Sequence, residues 1–267
     1  MRWTLRIISY GVFVVMLFVL VSIVVSGVPY FFRPGFFTAW PRRAMSEGGI
    51  FPMLIGSLML MGLVFAISVP VGLIGTIFLS ELAPRRVSMF LQSLAGTMNS
   101  VPSIVYGVFG LAFFSVKLGF GTSLLSASLA LSTMSIPFFM NSAVEFLRAV
   151  PKELREGVIS LGANKLQATL MVLRASKNGI LTSLMLTLGR AFSETAPILV
   201  TGAVFYSTKL PGKLTDPVMT LPTSIYAIVM NLGERSQWMA KAMASLMVLI
   251  MIAVYSLVQI TRRNKRE

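Results

Sequence analysis

Long runs without charge organise this chain. Residues 7–32, 48–80, 87–116, 118–144 and 242–261 contain no Asp, Glu, Lys or Arg, and 178–206 is interrupted only by Arg190 and Glu194. An α-helix rises about 1.5 Å per residue, so about 20 apolar residues cross the hydrocarbon layer of a bilayer. The pattern therefore predicts an all-α protein with six transmembrane helices, near 7–28, 52–80, 88–115, 122–144, 178–206 and 238–260. The first follows Arg2 and Arg6, a start shared with secretory signal peptides. Its apolar run exceeds a typical signal core and no small-x-small site precedes the next polar segment, which favours an uncleaved helix.

Composition narrows the class. Hydrophobic residues make up 55% of the 267 and charged residues only 12%, which excludes a disordered chain and fits an ordinary soluble enzyme poorly. Cysteine and histidine are both absent, so disulfides, thiolate or imidazole metal sites and His-dependent nucleophilic catalysis are excluded. No cofactor is expected. No Gly-x-x-x-x-Gly-Lys-[Ser/Thr] loop occurs, so the chain is not expected to hydrolyse ATP or to act as an enzyme.

The net charge of +14 comes from 23 Lys/Arg against 9 Asp/Glu. With the N-terminus cytoplasmic, fourteen Lys/Arg fall on the inner side and eight on the outer. That bias predicts a multi-pass cell-membrane protein with both termini cytoplasmic. The basic residues cluster at span ends, which makes membrane lipid, and not nucleic acid, the expected neighbour.

The chain divides into an N-terminal helix and external loop at 1–47, a transmembrane domain at 48–260 and a basic cytoplasmic tail at 261–267. An external segment at 207–237 carries the turn signals Pro211-Gly212 and Asp216-Pro217 and a short external or re-entrant helix over 223–231. The cytoplasmic loop 145–177 is the most informative connection. Leu154, Val158 and Leu161 share one helical face and Leu166, Leu170 and Leu173 another, separated by Gly162-Ala163-Asn164. Two short helices joined at a bend follow. They form either an interfacial loop on lipid or a docking element for a cytoplasmic partner, and so long a connection argues for a function.

Arg190 and Glu194 stand four residues apart, on one face if their helix is continuous. A lone charge near mid-membrane is costly, so both should face protein or water. One reading is an ion pair that locks helix packing. The other is an anion pathway lined by Arg190, whose planar fork of donors suits carboxylate or phosphate oxygens, with Glu194 positioning it and tempering its charge. Pro197 removes a backbone donor three residues on and is expected to bend the helix. A second polar group, Thr97, Asn99, Ser100, Pro102 and Ser103, lies in the third run, where such residues either glue helices or line a path.

Five stretches together carry a resemblance: GGIFPMLIGSL at 48–58, PVGLIGTIFLSELAP at 70–84, VPSIVYGVFGL at 101–111, VPKELREGVISLGANKLQATLMVL at 150–173 and GRAFSETAPILVTGA at 189–203. They resemble the permease subunits of binding-protein-dependent ABC importers, and MTLPTSIYAI at 219–228 is similar to the external segment of the PstA type of phosphate permease. The resemblance implies a type I importer (MetI-like) fold and import of inorganic phosphate. It implies a PstC-like permease partner, cytoplasmic ATP-binding subunits and an extracellular phosphate-binding protein. Glu156, Gly157, Val158, Gly162 and Ala163 fall in the loop that docks on the ATP-binding subunit in that family. Arg190 and Glu194 fall where the family's functional charges lie, and Pro102 and Ser103 in its third-span motif, beside Asn99. Arg190, Glu194, Asn99 and Ser103 are therefore the candidate pathway residues, with Pro102 and Pro197 the candidate helix bends.

Three positions depart from the family pattern. Ser193 replaces a glycine, Arg174 a proline, and Gln92 an acid, so an ion pair at position 92 is lost. These departures bear on specificity and regulation more than on class. Two rival readings remain: a permease for another oxyanion or small solute, and a membrane scaffold or sensor that does not transport.

Overall fold

A computed structural model describes residues 2–263, all helix and connecting loop. The basic tail expected at 261–267 lies largely outside them. Eleven α-helices occur among the described residues: α1 (Arg2–Gly27), α2 (Phe51–Ile77), α3 (Arg85–Asn99), α4 (Ser103–Gly110), α5 (Leu124–Arg148), α6 (Lys152–Ser160), α7 (Lys165–Ala175), α8 (Lys177–Ser193), α9 (Ala196–Thr201), α10 (Leu221–Asn231) and α11 (Gln237–Arg263). The chain forms two compact units, and α2 and α11 contribute to both.

The first unit holds the chain up to Ser57 together with Val204–Leu210 and Met219–Ala253. Tyr10, Val12, Phe13 and Phe18 of α1 are exposed, a surface suited to lipid and unsuited to water. The last turn of α1 meets α11 closely. Ser245 Oγ donates to the Val24 carbonyl at 2.9 Å, and any side chain at Gly27 would overlap Ser245 and the Lys241 carbonyl. The loop after α1 folds around Phe36, Met45 and Ile50, all fully buried. Trp238 Nε1 donates to the Ser46 carbonyl at 3.0 Å, while Arg33 lies over the rings of Tyr30 and Trp238. The short helix expected over 223–231 is α10, and Leu221 N at its start donates to Ser57 Oγ at 2.9 Å.

The second unit holds Leu58–Ala203, Pro211–Val218 and the chain from Val254. The long helix α5 is its centre. Ser123 caps α5 by accepting from Ser126 N at 3.1 Å, and the core around it joins Leu60, Val64, Leu124, Leu131, Ala191 and Ile198. Small residues let the backbones close in. Gly107 of α4 lies against Pro197 and Val200 of α9, and Gly110 against Ala130 of α5 and Thr201 of α9. Wide π-helical turns end α2 at Phe78–Leu82 and follow α4 at Leu111–Lys117.

The six continuous spans are corrected in two places. Four helical segments are each long and apolar enough to cross a membrane: Ile8–Phe32, Phe51–Leu82, Leu124–Arg148 and Glu234–Gln259. The expected span 88–115 is instead broken, with Arg85–Asn99 and Ser103–Lys117 inclined at 94°. Counting that pair gives five spans. The expected span 178–206 is also interrupted, because α8 ends at Ser193 and α9 begins at Ala196. Proline causes both breaks by removing a backbone donor and crowding the carbonyl four residues earlier. For Pro102 that is the carbonyl of Met98, and for Pro197 that of Ser193.

Candidate functional site

Pro102 caps α4 in extended conformation, and the Met98 carbonyl it cannot serve is satisfied differently. Tyr106, one turn into α4, donates its hydroxyl to that carbonyl at 2.7 Å. The break is thus held by a side-chain bond that spans it. Asn99 ends α3, and its buried Oδ1 has no hydrogen-bond partner. Ser103, half-buried, opens α4. The Asn99 and Ser103 candidates therefore flank a corner and do not share a helix face.

Arg190 lies in the last turn of α8 and is half-buried. Its guanidinium sits over the Phe138 ring of α5, 4.8 Å from the centroid, and within electrostatic reach of Tyr106. A cation over an aromatic face gains about 0.5–1 kcal/mol or more when shielded from water. Glu194 does not continue the helix: it is the C-cap residue, with φ −74° and ψ 136°. The expected placement of Arg190 and Glu194 on one helical face is corrected accordingly. The ion pairs shown among the described residues are Arg43–Glu47 and Arg155–Glu81, and among those residues Arg190 has no ion-pair or hydrogen-bond partner. Pro197 stands in the first turn of α9, where its missing donor costs nothing, and Ser193 bonds back to the Gly189 carbonyl at 3.1 Å.

Between α5 and α8 the loop forms two short helices. Gly162 turns the chain after α6 with φ +87°, a conformation that favours glycine, and Asn164 caps α7 in a reciprocal pair with Gln167. Glu156, Gly157 and Gly162 are exposed, while Val158 and Ala163 are half-buried. Leucines line the exposed surface, with Leu161 at 89% and Leu166 at 67% of full exposure. Gln92 has a partner: its Oε1, a neutral acceptor, accepts from Arg148 Nη1 at 3.1 Å. Arg174 is exposed in the last turn of α7.

Phe138, Tyr106, Glu81, Arg155 and Arg148 were not singled out in the sequence. The aromatic pair carries no charge or spacing signal, and the other three read as ordinary span-end charges.

Apolar helices, two helix breaks beside proline and polar groups, one of them at 94°, and an exposed helical pair between spans define a multi-pass α-helical membrane protein. The chain belongs to the family of binding-protein-dependent transport system inner membrane components, whose model matches residues 68–267. Membership makes it a non-catalytic permease subunit of an ABC transporter. Among similar proteins, the probable phosphate transport system permease protein PstA of Methanocaldococcus jannaschii is 29% identical over 89% of this chain and 83% of its own. The phosphate transport system permease protein PstA 1 of Mycobacterium tuberculosis (strain H37Rv) is 30% identical over 84% of this chain and 74% of its own. A chain of the inward-facing MetNI methionine ABC transporter matches 80% of this chain and 96% of its own, with a TM-score of 0.59 and 17% identity. That likeness shows a MetI-like importer permease fold.

Proposed function

We propose that this chain is the membrane-spanning permease subunit of an ATP-driven phosphate importer. The observation that carries the reading is Arg190: a guanidinium in the last turn of α8, half-buried over Phe138, with no ion-pair partner among the described residues. Such a charge is costly unless water or an anion compensates it, and its donor fork fits phosphate oxygens. The PstA relatives support phosphate as that anion. Glu194, unpaired with Arg190, tempers the local positive potential so that the anion can leave. Asn99 and Ser103 line the path at the break between α3 and α4.

Six crossings follow if each broken segment is one span, with both termini cytoplasmic. The exposed α6–α7 surface, including Glu156, Gly157, Val158, Gly162 and Ala163, docks on an ATP-binding subunit. Leu161 and Leu166 offer it apolar contact. A second, PstC-like permease, two ATP-binding subunits and an extracellular phosphate-binding protein complete the complex. ATP-driven closure of the ATPases moves the docked helices, and selection of substrate rests mainly with the binding protein.

Replacing Arg190 with Gln tests the pathway. Uptake should fall at least about tenfold, the worth of one charge-assisted contact, while the complex still assembles. Normal uptake would contradict the role of Arg190. Sulfate or another oxyanion remains the second reading, since the same fork fits its oxygens.

A further inference from the structure

The helix α6 buries no side chain, so packing alone transmits little of its movement. It is tied down by charge instead. Arg155 Nη2 lies 2.8 Å from Glu81 Oε1, with 26% of the Arg155 side chain and 9% of that of Glu81 exposed. The same nitrogen donates to the carbonyl of Leu147, in the last turn of α5, at 3.1 Å. Glu81 sits in the π-helical turn that ends α2. One guanidinium therefore joins α6 to the ends of two spans.

The next residue after Leu147 extends the linkage. Arg148 donates to Ser88 Oγ at 2.7 Å and to Gln92 Oε1 at 3.1 Å, both on α3. Ser88 in turn donates to the Leu79 carbonyl, beside Glu81, at 2.5 Å. The ends of α2 and α5, the start of α3 and, through Arg155, α6 thus share one closed polar ring. From that ring α3 runs to the 94° break that presents Asn99 and Ser103.

We propose that the Glu81–Arg155 ion pair is the strut that carries movement of α6 into the corner between α2 and α3, and so to that break. The proposal rests on the reading that α6 and α7 dock an ATP-binding subunit. Shielded from water, the pair resists separation far more than an exposed one such as Arg43–Glu47. The bond from the same nitrogen to the Leu147 carbonyl also fixes the position of the guanidinium, and the shorter, differently shaped head of a lysine reproduces both contacts less well. Both are positioning residues, remote from the substrate.

The test uses the complete complex reconstituted in liposomes, with ATP hydrolysis and phosphate uptake measured together and normalised to assembled complex. Glu81→Gln and Arg155→Met should each lower phosphate moved per ATP by about tenfold, with hydrolysis within about twofold of the parent. The exchange Glu81→Arg with Arg155→Glu should restore much of the loss. Arg155→Lys, which keeps the charge, should lie between parent and Arg155→Met. Unchanged phosphate per ATP in the single variants of a working parent would overturn the strut alone. Failure of both the exchange and Arg155→Lys to recover any transport in an assembled complex would overturn it too. A parent complex that hydrolyses ATP without moving phosphate would overturn the importer reading, and the strut with it.

Discussion

At the scale of single residues, the site is built around backbone groups that proline leaves unserved. Pro102 frees the Met98 carbonyl, and the Tyr106 hydroxyl takes its place at 2.7 Å. Tyr106 also lies near Arg190, so one ring stabilises the corner and shapes the surroundings of the charge. Tyr106→Phe removes the shorter of two bonds to that carbonyl and leaves the one from the Val101 amide at 3.2 Å. It should cost about 0.5–1.5 kcal/mol of stability, read as a lower thermal midpoint of the purified subunit complex. An unchanged midpoint would show that the Val101 amide and water serve the carbonyl equally well. The Arg190 side chain was legible in the sequence because a charge inside an uncharged run is conspicuous. Its real neighbour was not: Phe138 is one of many aromatics in α5, and only the packing of α8 on α5 brings its ring to Arg190.

At the scale of elements, the runs without charge marked every apolar segment but not where the helices stop. Hydropathy averages over about 20 residues, whereas a proline acts on one backbone bond. Hence 88–115 and 178–206 read as continuous in the sequence, and Arg190 and Glu194 as one face, although the helices stop at Asn99 and Ser193. The two short helices between α5 and α8 were legible because local chemistry specifies them: Pro151 and Asn164 start them and Gly162 turns the chain between them. The packing of α4 on α9 depends on another local feature, the glycines at 107 and 110. A Cβ at Gly107 would lie 2.8 Å from Val200 and 2.9 Å from the Pro197 backbone. Gly107→Leu should therefore destabilise by about 1–3 kcal/mol or displace α9, seen as aggregation or early melting in detergent. Gly62, with open space around it, should accept Leu, and equal tolerance at both positions would contradict the packing described.

At the scale of the whole molecule, two kinds of exposed apolar surface are present. That of the long helices such as α1 and α2 suits lipid, and that of α6 and α7 belongs to a segment too polar and too short to cross a bilayer. A membrane covers the first, and under the proposed function an ATP-binding subunit covers the second. Family membership and fold fix the class, while the substrate rests on the relatives and on Arg190. The most direct measurement is ATP-driven uptake of radiolabelled phosphate by liposomes carrying the complete complex, with excess unlabelled phosphate or sulfate as competitor. Uptake that needs ATP and binding protein, and that falls about tenfold or more with phosphate but not with sulfate, is the predicted result. Uptake suppressed equally by sulfate, or no ATP-dependent phosphate uptake in an assembled complex, would contradict it.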